Sequence, residues 1–437
     1  MKDTNYTTAK KIVETLRKKG HEAYFVGGCV RDRVMKIVPQ DYDIATDARA
    51  GEVMKIFKRT IPVGAKFGVV IVVRDGINFE VATFRRDGDY IDSRRPIAVH
   101  FSDAKEDVLR RDFTINGLLY DPVKRKVIDY AGGMQDIREK TIRTIGDPYE
   151  RFSEDKLRLI RAIRFSARFK FKIEKKTFEA VRKLAPQITE VSAERLRDEL
   201  VKICTGKNAG YGLELLRESG LLAVVLPEVT KMIGVEQPPE FHPEGDVYTH
   251  TKMMFDDMKE PSTELAFAVL LHDVGKPRTF RRAERIRFDG HTNVGARMAD
   301  TILRRLRFPN DERDAIVTAV FNHLKFMDVK KMRVNRLKRF LKEPTFPMEL
   351  ELHRLDCRAS HGMLDNYRFC KKKLKEYSKE EDLRPKPLVN GNDLIAMGFT
   401  PGPVFKKILT AVEDGQLEDK LKTKGDAIAF IRKKFGS

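Results

Sequence analysis

The chain changes its periodicity once, and that change limits the folds open to it. Residues 1–120 alternate short strand and helix patterns, whereas from about Pro148 the pattern is helical. Ala9 to Lys19 puts Ile12, Val13 and Leu16 on one helical face. Ala23 to Val26 reads as a strand running into Gly27-Gly28, with a helix starting near Cys29. Val69 to Val73 and Phe79 to Phe84 are apolar, β-branched runs separated by Arg74-Asp75-Gly76, which is a hairpin signal. Lys156 to Phe169 and Ala193 to Cys204 repeat apolar residues at the 3.6-residue period. Pro238-Pro239 and the following FHPEGD form a loop, after which a helical block runs from about Tyr248 to Ser360. The charged stretch Lys371 to Pro387 reads as a helix end and linker, and a last helical unit runs from about Leu388 to Ser437. The expected class is α+β: a small mixed sheet with packed helices, followed by all-helical segments.

With 437 residues the chain is too long for one ordinary core. Its net charge of +20 suits a polyanionic partner, because Lys and Arg on phosphates release counterions. Cys29, Cys204, Cys357 and Cys370 lie far apart with no CxxC, so a reduced compartment is expected rather than a disulfide scaffold. The polar start MKDTNYTTAKK lacks a signal-peptide apolar stretch. No apolar run approaches the roughly 20 residues that span a bilayer. The expectation is a cytoplasmic protein with no membrane partner.

Asp41 and Asp43 lie in PQDYDIAT. In a strand, residues i and i+2 share a face, so the two carboxylates converge. Charges that close repel and require a cation, and hard oxygen ligands suit Mg²⁺. Glu80, in INFEVATF, offers a third carboxylate if its strand pairs beside them. Such a set can hold metals that activate an attacking hydroxyl and steady a phosphoryl transition state. A lone DxD is a weak signal, but FVGGCVRD lies upstream, where glycines and a helix start admit phosphate. Arg31 can donate to that phosphate or pair with Asp32 or Asp43.

FVGGCVRD, DYDIAT and RRDFTIN (Arg110 to Asn116), in that order and spacing, resemble the class II tRNA nucleotidyltransferase and bacterial poly(A) polymerase family. The resemblance continues through IDYAGGMQDIREKTIRTIGDP and RFSEDKLRLIRAIRF and covers at least residues 20–205. It implies a polymerase-β-like nucleotidyltransferase head over 1–148, a base-selecting neck over 149–205, a helical body over 206–365 and an RNA-binding tail over 366–437. It also implies that Gly28, Arg31 and Arg111 contact the nucleotide and that Asp41 and Asp43 are the metal ligands. Two positions depart from the family pattern: Lys36, where Gly is usual, and Gly117, where Ala usually follows the Asn.

SEDKLRLIRAIRF carries Glu154, Asp155, Arg158, Arg161 and Arg164. On one helix, Asp155 and Arg158 would share a face, as a solvated ion pair or as an acceptor beside a donor. The second arrangement matches the edge that cytosine and adenine share, an amino donor beside a ring nitrogen, and rejects guanine and uracil. The segment resembles the family's EDxxR template, which implies that Asp155 and Arg158 select the base. Arg161 and Arg164 would then support them or reach the triphosphate. RRDGDYIDSRRP (Arg85 to Pro96) reads as a mobile loop, and the resemblance links it to addition of the final A.

Seven of nine histidines fall between 242 and 361: His242, His250, His272, His291, His323, His353 and His361. His272 adjoins Asp273 in LLHDVGK, and imidazoles and a carboxylate from separate helices could close on a divalent metal. The block resembles an HD phosphohydrolase domain. That implies His250, His272, Asp273, His291, His323 and Asp356 as candidate ligands of a second divalent metal, with the last of these in LHRLDCRASHG. Such bodies also serve to bind RNA or to dimerise, so a homodimer is a further expectation. The tail, LVNGNDLIAMGFTPGPVFKKIL, combines a capped helix start with Lys406 and Lys407, and resembles the RNA-binding end of CCA-adding enzymes. The expected activity is untemplated addition of CCA to the 3′ end of tRNA from CTP and ATP with Mg²⁺. An A-adding enzyme, a poly(A) polymerase and an HD phosphohydrolase with an RNA-binding head are the alternatives.

Overall fold

The computed structural model describes residues 4–87, 99–377, 383 and 385–436. The chain divides into two compact units, Met1–Thr230 and Lys231–Ser437.

The first unit is built on a seven-stranded sheet. Its strands are β1 (Ala23–Val26), β2 (Asp43–Thr46), β3 (Thr60–Gly64), β4 (Val69–Arg74), β5 (Ile77–Thr83), β8 (Leu118–Asp121) and β9 (Lys126–Asp129). They lie in the order β3-β4-β5-β2-β1-β8-β9. The β4–β5 hairpin forms where the apolar runs predicted it, and Asp75 and Gly76, both at positive φ, make its two-residue turn. The helix Thr4–Lys18 lays Ala9, Ile12, Val13 and Leu16 on the sheet, all fully buried. Each of the larger three contributes about 1.5–3 kcal/mol by leaving water.

Two expectations need correction here. The segment Arg85 to Pro96 does not begin as a loop: Arg85–Asp87 (β6) pairs antiparallel with Val99–Phe101 (β7), and residues 88–96 lie outside the described residues. The chain after Pro148 is not purely helical either. Lys170 takes a left-handed conformation at the end of the helix Leu157–Phe169 and turns the chain outward. Lys172–Ile173 can then pair in parallel with Thr141–Ile142.

Of the two departures from the family pattern, only Gly117 has a local explanation. Lys36 sits at φ +60°, a left-handed position that a glycine holds without strain. A Cβ on Gly117 would lie 2.8 Å from Ile145 Cδ1, so Ile145 occupies space that an alanine at 117 would need.

At the centre of the second unit is the helix Thr263–Leu271. Ala266 to Leu271 are all fully buried, so apolar residues face every direction. The helices Val247–Asp257, Asn310–Asn322 and Phe346–Ala359 pack around it. A small antiparallel pair, Arg281–Arg282 with Ile286–Arg287, interrupts the block that was expected to be helical throughout. Further along, Asp365–Glu376 is the predicted helix end, and of the linker that follows residues 378–382 and 384 lie outside the described residues. Three helices close the unit: Gly391–Ala396, Pro403–Leu417 and Lys424–Phe435, packed through Leu394, Ile408, Val412, Ala427 and Ile431. Asn390 caps the first of them in a reciprocal box with Asp393.

Candidate functional site

A cleft of about 570 Å³ opens in the first unit, lined by Gly27, Gly28, Arg31, Asp41, Asp43, Arg111, Asp155, Arg158, Arg161 and Arg164 among others. Sheet topology explains one side of it. β2 pairs antiparallel with β1, Asp43 opposite Val26, and parallel with β5, Ile44 opposite Val81. β1 ends where Gly27 turns at φ +69°, so no partner extends β2 back to Asp41. Asp41 therefore lies two residues ahead of the strand rather than inside it, and the simple alternation argument holds only in part. The carboxylates still meet. Burial pushes the Asp43 carboxyl up to about 6, and the charges of Glu80 and Asp41 add to the shift. Glu80 acts from the neighbouring strand without lining the cleft.

The opposite wall is arginine. Eight arginines and five aspartates line the cleft, an excess of positive charge suited to a triphosphate. Most of these arginines are already fixed by carboxylates. Arg31 is buried and donates to Asp32 Oδ1 at 2.8 and 2.6 Å and to Asn116 Oδ1 at 2.6 Å, which realises the Asp32 pairing. Arg111 donates to Asp107 Oδ2 at 3.0 Å, and its charge lowers the Asp43 carboxyl against the larger upward effects. Arg161 donates to Asp112 Oδ2 at 2.9 and 2.6 Å. Burial would raise Asp112, but Arg161 and Asn116 outweigh it and hold that carboxyl at about 2. Arg164 meets Glu199 at 2.5 Å.

The neck residues are arranged differently from a single helical face. Asp155 is extended and breaks the chain between the helices Pro148–Glu154 and Leu157–Phe169. Its Oδ1 accepts from the Leu157 N–H at 3.0 Å and its Oδ2 from Arg195 at 2.7 Å. Arg158 instead donates to Glu154 Oε2 at 2.5 Å, to the Arg151 carbonyl at 2.8 Å and to the Arg110 carbonyl at 3.0 Å. The i,i+3 pair imagined between Asp155 and Arg158 gives way to these partners because the break removes the helical spacing. Both residues still face the cleft. Asp107, Asp112, Asn116, Arg195 and Glu199, which fix the arginines and Asp155, escaped the sequence reading. Asp112 and Asn116 were nonetheless inside the quoted RRDFTIN, spaced one helical turn apart.

The second unit holds a buried imidazole cluster. The central helix ends on His272 and delivers His272 and Asp273 together. Nδ1 of His272, His291 and His323 lies 2.8, 2.8 and 2.7 Å from the carbonyls of Val269, Phe288 and Val320, which leaves each Nε2 as a lone-pair donor pointing inward. His291 Nε2 and His323 Nε2 are 3.3 Å apart, and they lie 3.5 and 3.7 Å from Asp273 Oδ1. His250 Nε2 lies 3.0 Å from Asp356 Oδ1, while its Nδ1 meets Glu244 Oε1 at 2.6 Å. Burial lowers His291 and takes His323 down to about 3, so both are neutral at pH 7. Burial would raise Asp273, but His272 and Lys276 beside it hold it well below the usual carboxylate range. His272 Nε2 lies 3.2 Å from Asp273 Oδ2, while Asp273 Oδ1 is buried with no hydrogen-bond partner, as a group awaiting a cation is. His250, His272 and Asp273 form one set close enough to share an ion, and Asp273, His291 and His323 form another.

A close backbone approach is required here. A Cβ on Gly275 would lie 2.2 Å from the His291 carbonyl oxygen, so glycine lets the helix His291–Arg305 come near enough to bring its histidine in. His353 and His361 do not join the cluster. His353 stacks on Phe326 with ring centroids 4.6 Å apart, and His361 Nδ1 accepts from the Met363 N–H. His242 and Glu244, from the FHPEGD loop, do join, at the His250 side.

A mixed sheet that brings a carboxylate pair against a glycine turn and an arginine wall has the form of a nucleotidyltransferase head, and the second unit has the form of an HD domain. Residues 23–143 match the poly A polymerase head domain, 170–233 the probable RNA and SrmB-binding site of polymerase A, and 246–357 the HD domain. The first unit is thus similar to the poly A polymerase head domain over its sheet, and the second to the HD domain around its imidazole cluster. It is 45% identical over 217 residues to the CCA-adding enzyme of Bacillus licheniformis, covering 49% of this chain and 54% of that protein. It is 42% identical over 225 residues to that of Anoxybacillus flavithermus, covering 51% and 56%. The matched stretch thus spans about half the length of these curated relatives. The crystal structure of the Bacillus stearothermophilus CCA-adding enzyme in complex with CTP is similar over 99% of this chain and 98% of that chain, with a TM-score of 0.78 and 27% identity. The Thermotoga maritima CCA-adding enzyme complexed with tRNA shares the fold, at a TM-score of 0.59 and 19% identity over 98% of this chain and 94% of that one. Among the described residues no helix is long and apolar enough to cross a membrane.

Proposed function

We propose that this chain adds C, C and A to the 3′ end of tRNA, taking CTP and ATP in the cleft of its first unit. The observation that carries the reading is that one cleft is lined both by Asp41 and Asp43 and by Asp155 and Arg158, so reacting phosphate and selected base can be held together. The curated relatives named above are CCA-adding enzymes.

Asp41 and Asp43 are the residues that would hold Mg²⁺, with Glu80 adding negative charge from β5. The raised Asp43 carboxyl fits this, because a cation relieves the repulsion that raises it. Bound there, the metal supplies charge neutralisation for the transferred phosphoryl group. The protein's own groups do the rest. Gly27 and Gly28 let backbone approach the triphosphate, and Arg31 and Arg111 donate to it from positions set by Asp32 and Asp107. Asp155 accepts from the amino group of cytosine or adenine and Arg158 donates to the ring nitrogen. Arg161 and Arg164, held by Asp112 and Glu199, keep the helix under Arg158 in place.

A second activity is favoured by the imidazole cluster. His250, His272, Asp273, His291, His323 and Asp356 would hold a divalent metal suited to phosphoester hydrolysis. The buried, unsatisfied Asp273 Oδ1 supports that role.

The test is incorporation of labelled CMP into tRNA lacking its 3′ end, with and without Mg²⁺, by the native chain and by Asp41→Ala. Mg²⁺-dependent incorporation that the substitution abolishes supports the reading. Incorporation that survives in Asp41→Ala removes the metal assignment.

A further inference from the structure

The second unit contains a groove that belongs to neither centre. It holds about 790 Å³ and lies along the turns His323–Lys331 and the helix Val334–Leu341. Phe321, Met332 and Phe340 supply its apolar surface, and Lys325, Arg333 and Arg336 its positive charge. Phe321 is 44% exposed although it is a large ring. Lys325 Nζ stands 5.6 Å from the Phe321 ring centre and 5.8 Å from that of Phe340. Arg339, on the same wall, is already tied to Glu413 and Asp414 of the tail. Lys325, Arg333 and Arg336 form no ion pair among the described residues, so their charge is available to a ligand.

An exposed aromatic face beside free cations is the combination that binds single-stranded nucleic acid: the base covers the ring and phosphates meet the cations. An amphipathic helix lays a stripe of apolar anchors spaced over two turns into an apolar groove, and here the large apolar side chains of the lining are Phe321, Met332 and Phe340 among mostly polar and charged neighbours. We propose that the groove takes one unpaired nucleotide of the bound RNA, its base stacked on Phe321 and its flanking phosphates on Lys325, Arg333 and Arg336. The inference rests on RNA being the substrate, as proposed above.

The full chain is tested by fluorescence anisotropy with labelled tRNA lacking its 3′ end. Phe321→Ala is expected to weaken binding roughly tenfold, and Phe321→Tyr to retain it. Arg333→Ala with Arg336→Ala is expected to weaken binding about tenfold and to flatten the log–log salt slope by about 1.4, two phosphates' worth on a single strand. In nucleotide addition these variants raise the KM for tRNA and leave kcat unchanged. Transcripts carrying 4-thiouridine are expected to photocrosslink within Phe321 to Lys325. Unchanged affinity and salt slope, with no crosslink in the groove, overturn the inference, whether or not an acidic peptide binds there. If the native chain neither binds nor extends RNA, the proposed function itself fails, and that result is distinct from native activity with indifferent variants.

Discussion

The cleft of the first unit and the imidazole cluster of the second both gather carboxylates where a cation is needed, yet they do so with opposite electrostatics. The cleft is open and carries fixed charges of both signs, with arginines clamped by Asp32, Asp107, Asp112 and Glu199. The cluster is closed, its histidines neutral or shared with acids, with Nδ1 of three of them facing backbone carbonyls. A site that must admit a large anion repeatedly holds cations on its wall, each balanced by a buried carboxylate while the site is empty. One that holds only a metal and a small reacting group can bury neutral ligands and let the ion bring the charge.

That contrast can be broken most severely by removing one carboxylate from the cleft. Asp43→Asn is expected to lower nucleotide addition by about 10³-fold or more while leaving the metal content of the second unit unchanged, as read by elemental analysis of the purified chain. Equal loss at both sites would mean that the substitution unfolds the protein. Asp155→Ala comes next. It is expected to reduce discrimination of CTP and ATP against GTP and UTP by about 10- to 100-fold in competition assays, the worth of one well-made base contact. Total loss of addition with selectivity intact would reassign Asp155 to holding Arg195 and the helix start alone.

On the other side of the comparison, Gly275→Ala forces a methyl against the His291 carbonyl. It is expected to lower stability by about 1–3 kcal/mol and to reduce metal bound by the second unit, with nucleotide addition preserved. The smallest effect concerns pH. Because burial, Glu80 and Asp41 raise Asp43 to about 6, a proton competes with the metal below that pH. The apparent Mg²⁺ affinity for addition is expected to fall about fourfold between pH 7.5 and 5.5, from the ionised fraction of a group with that pKa. Asp273 is held far below the usual range, so protonation of that carboxylate does not limit metal retention by the cluster over the same interval.

How much was legible in the sequence differs between the two regions for the same physical reason. Features fixed by short spacing were readable: the strand before Gly27-Gly28, the β4–β5 hairpin, the His272–Asp273 pair and the Asn390 cap. Features fixed by partners far along the chain were not. Arg195 meets Asp155 from 40 residues away, and Arg161 reaches Asp112 across 49. The expected helical face through Asp155 failed because the residue caps the next helix instead of continuing the last, a choice between backbone hydrogen bonds that composition does not decide. Glu244 was invisible for a related reason, since only the fold of the FHPEGD loop carries it to His250.

The measurement that bears most directly on the central claim is product length on three tRNA transcripts, ending at the discriminator base, at C, and at CC. Each is given Mg²⁺ with CTP, ATP or both. The account predicts that the first transcript grows by three residues, and only when both nucleotides are present. Extension of the CC transcript alone by a single A would contradict it in favour of an A-adding enzyme, and long A tails would contradict it in favour of a poly(A) polymerase.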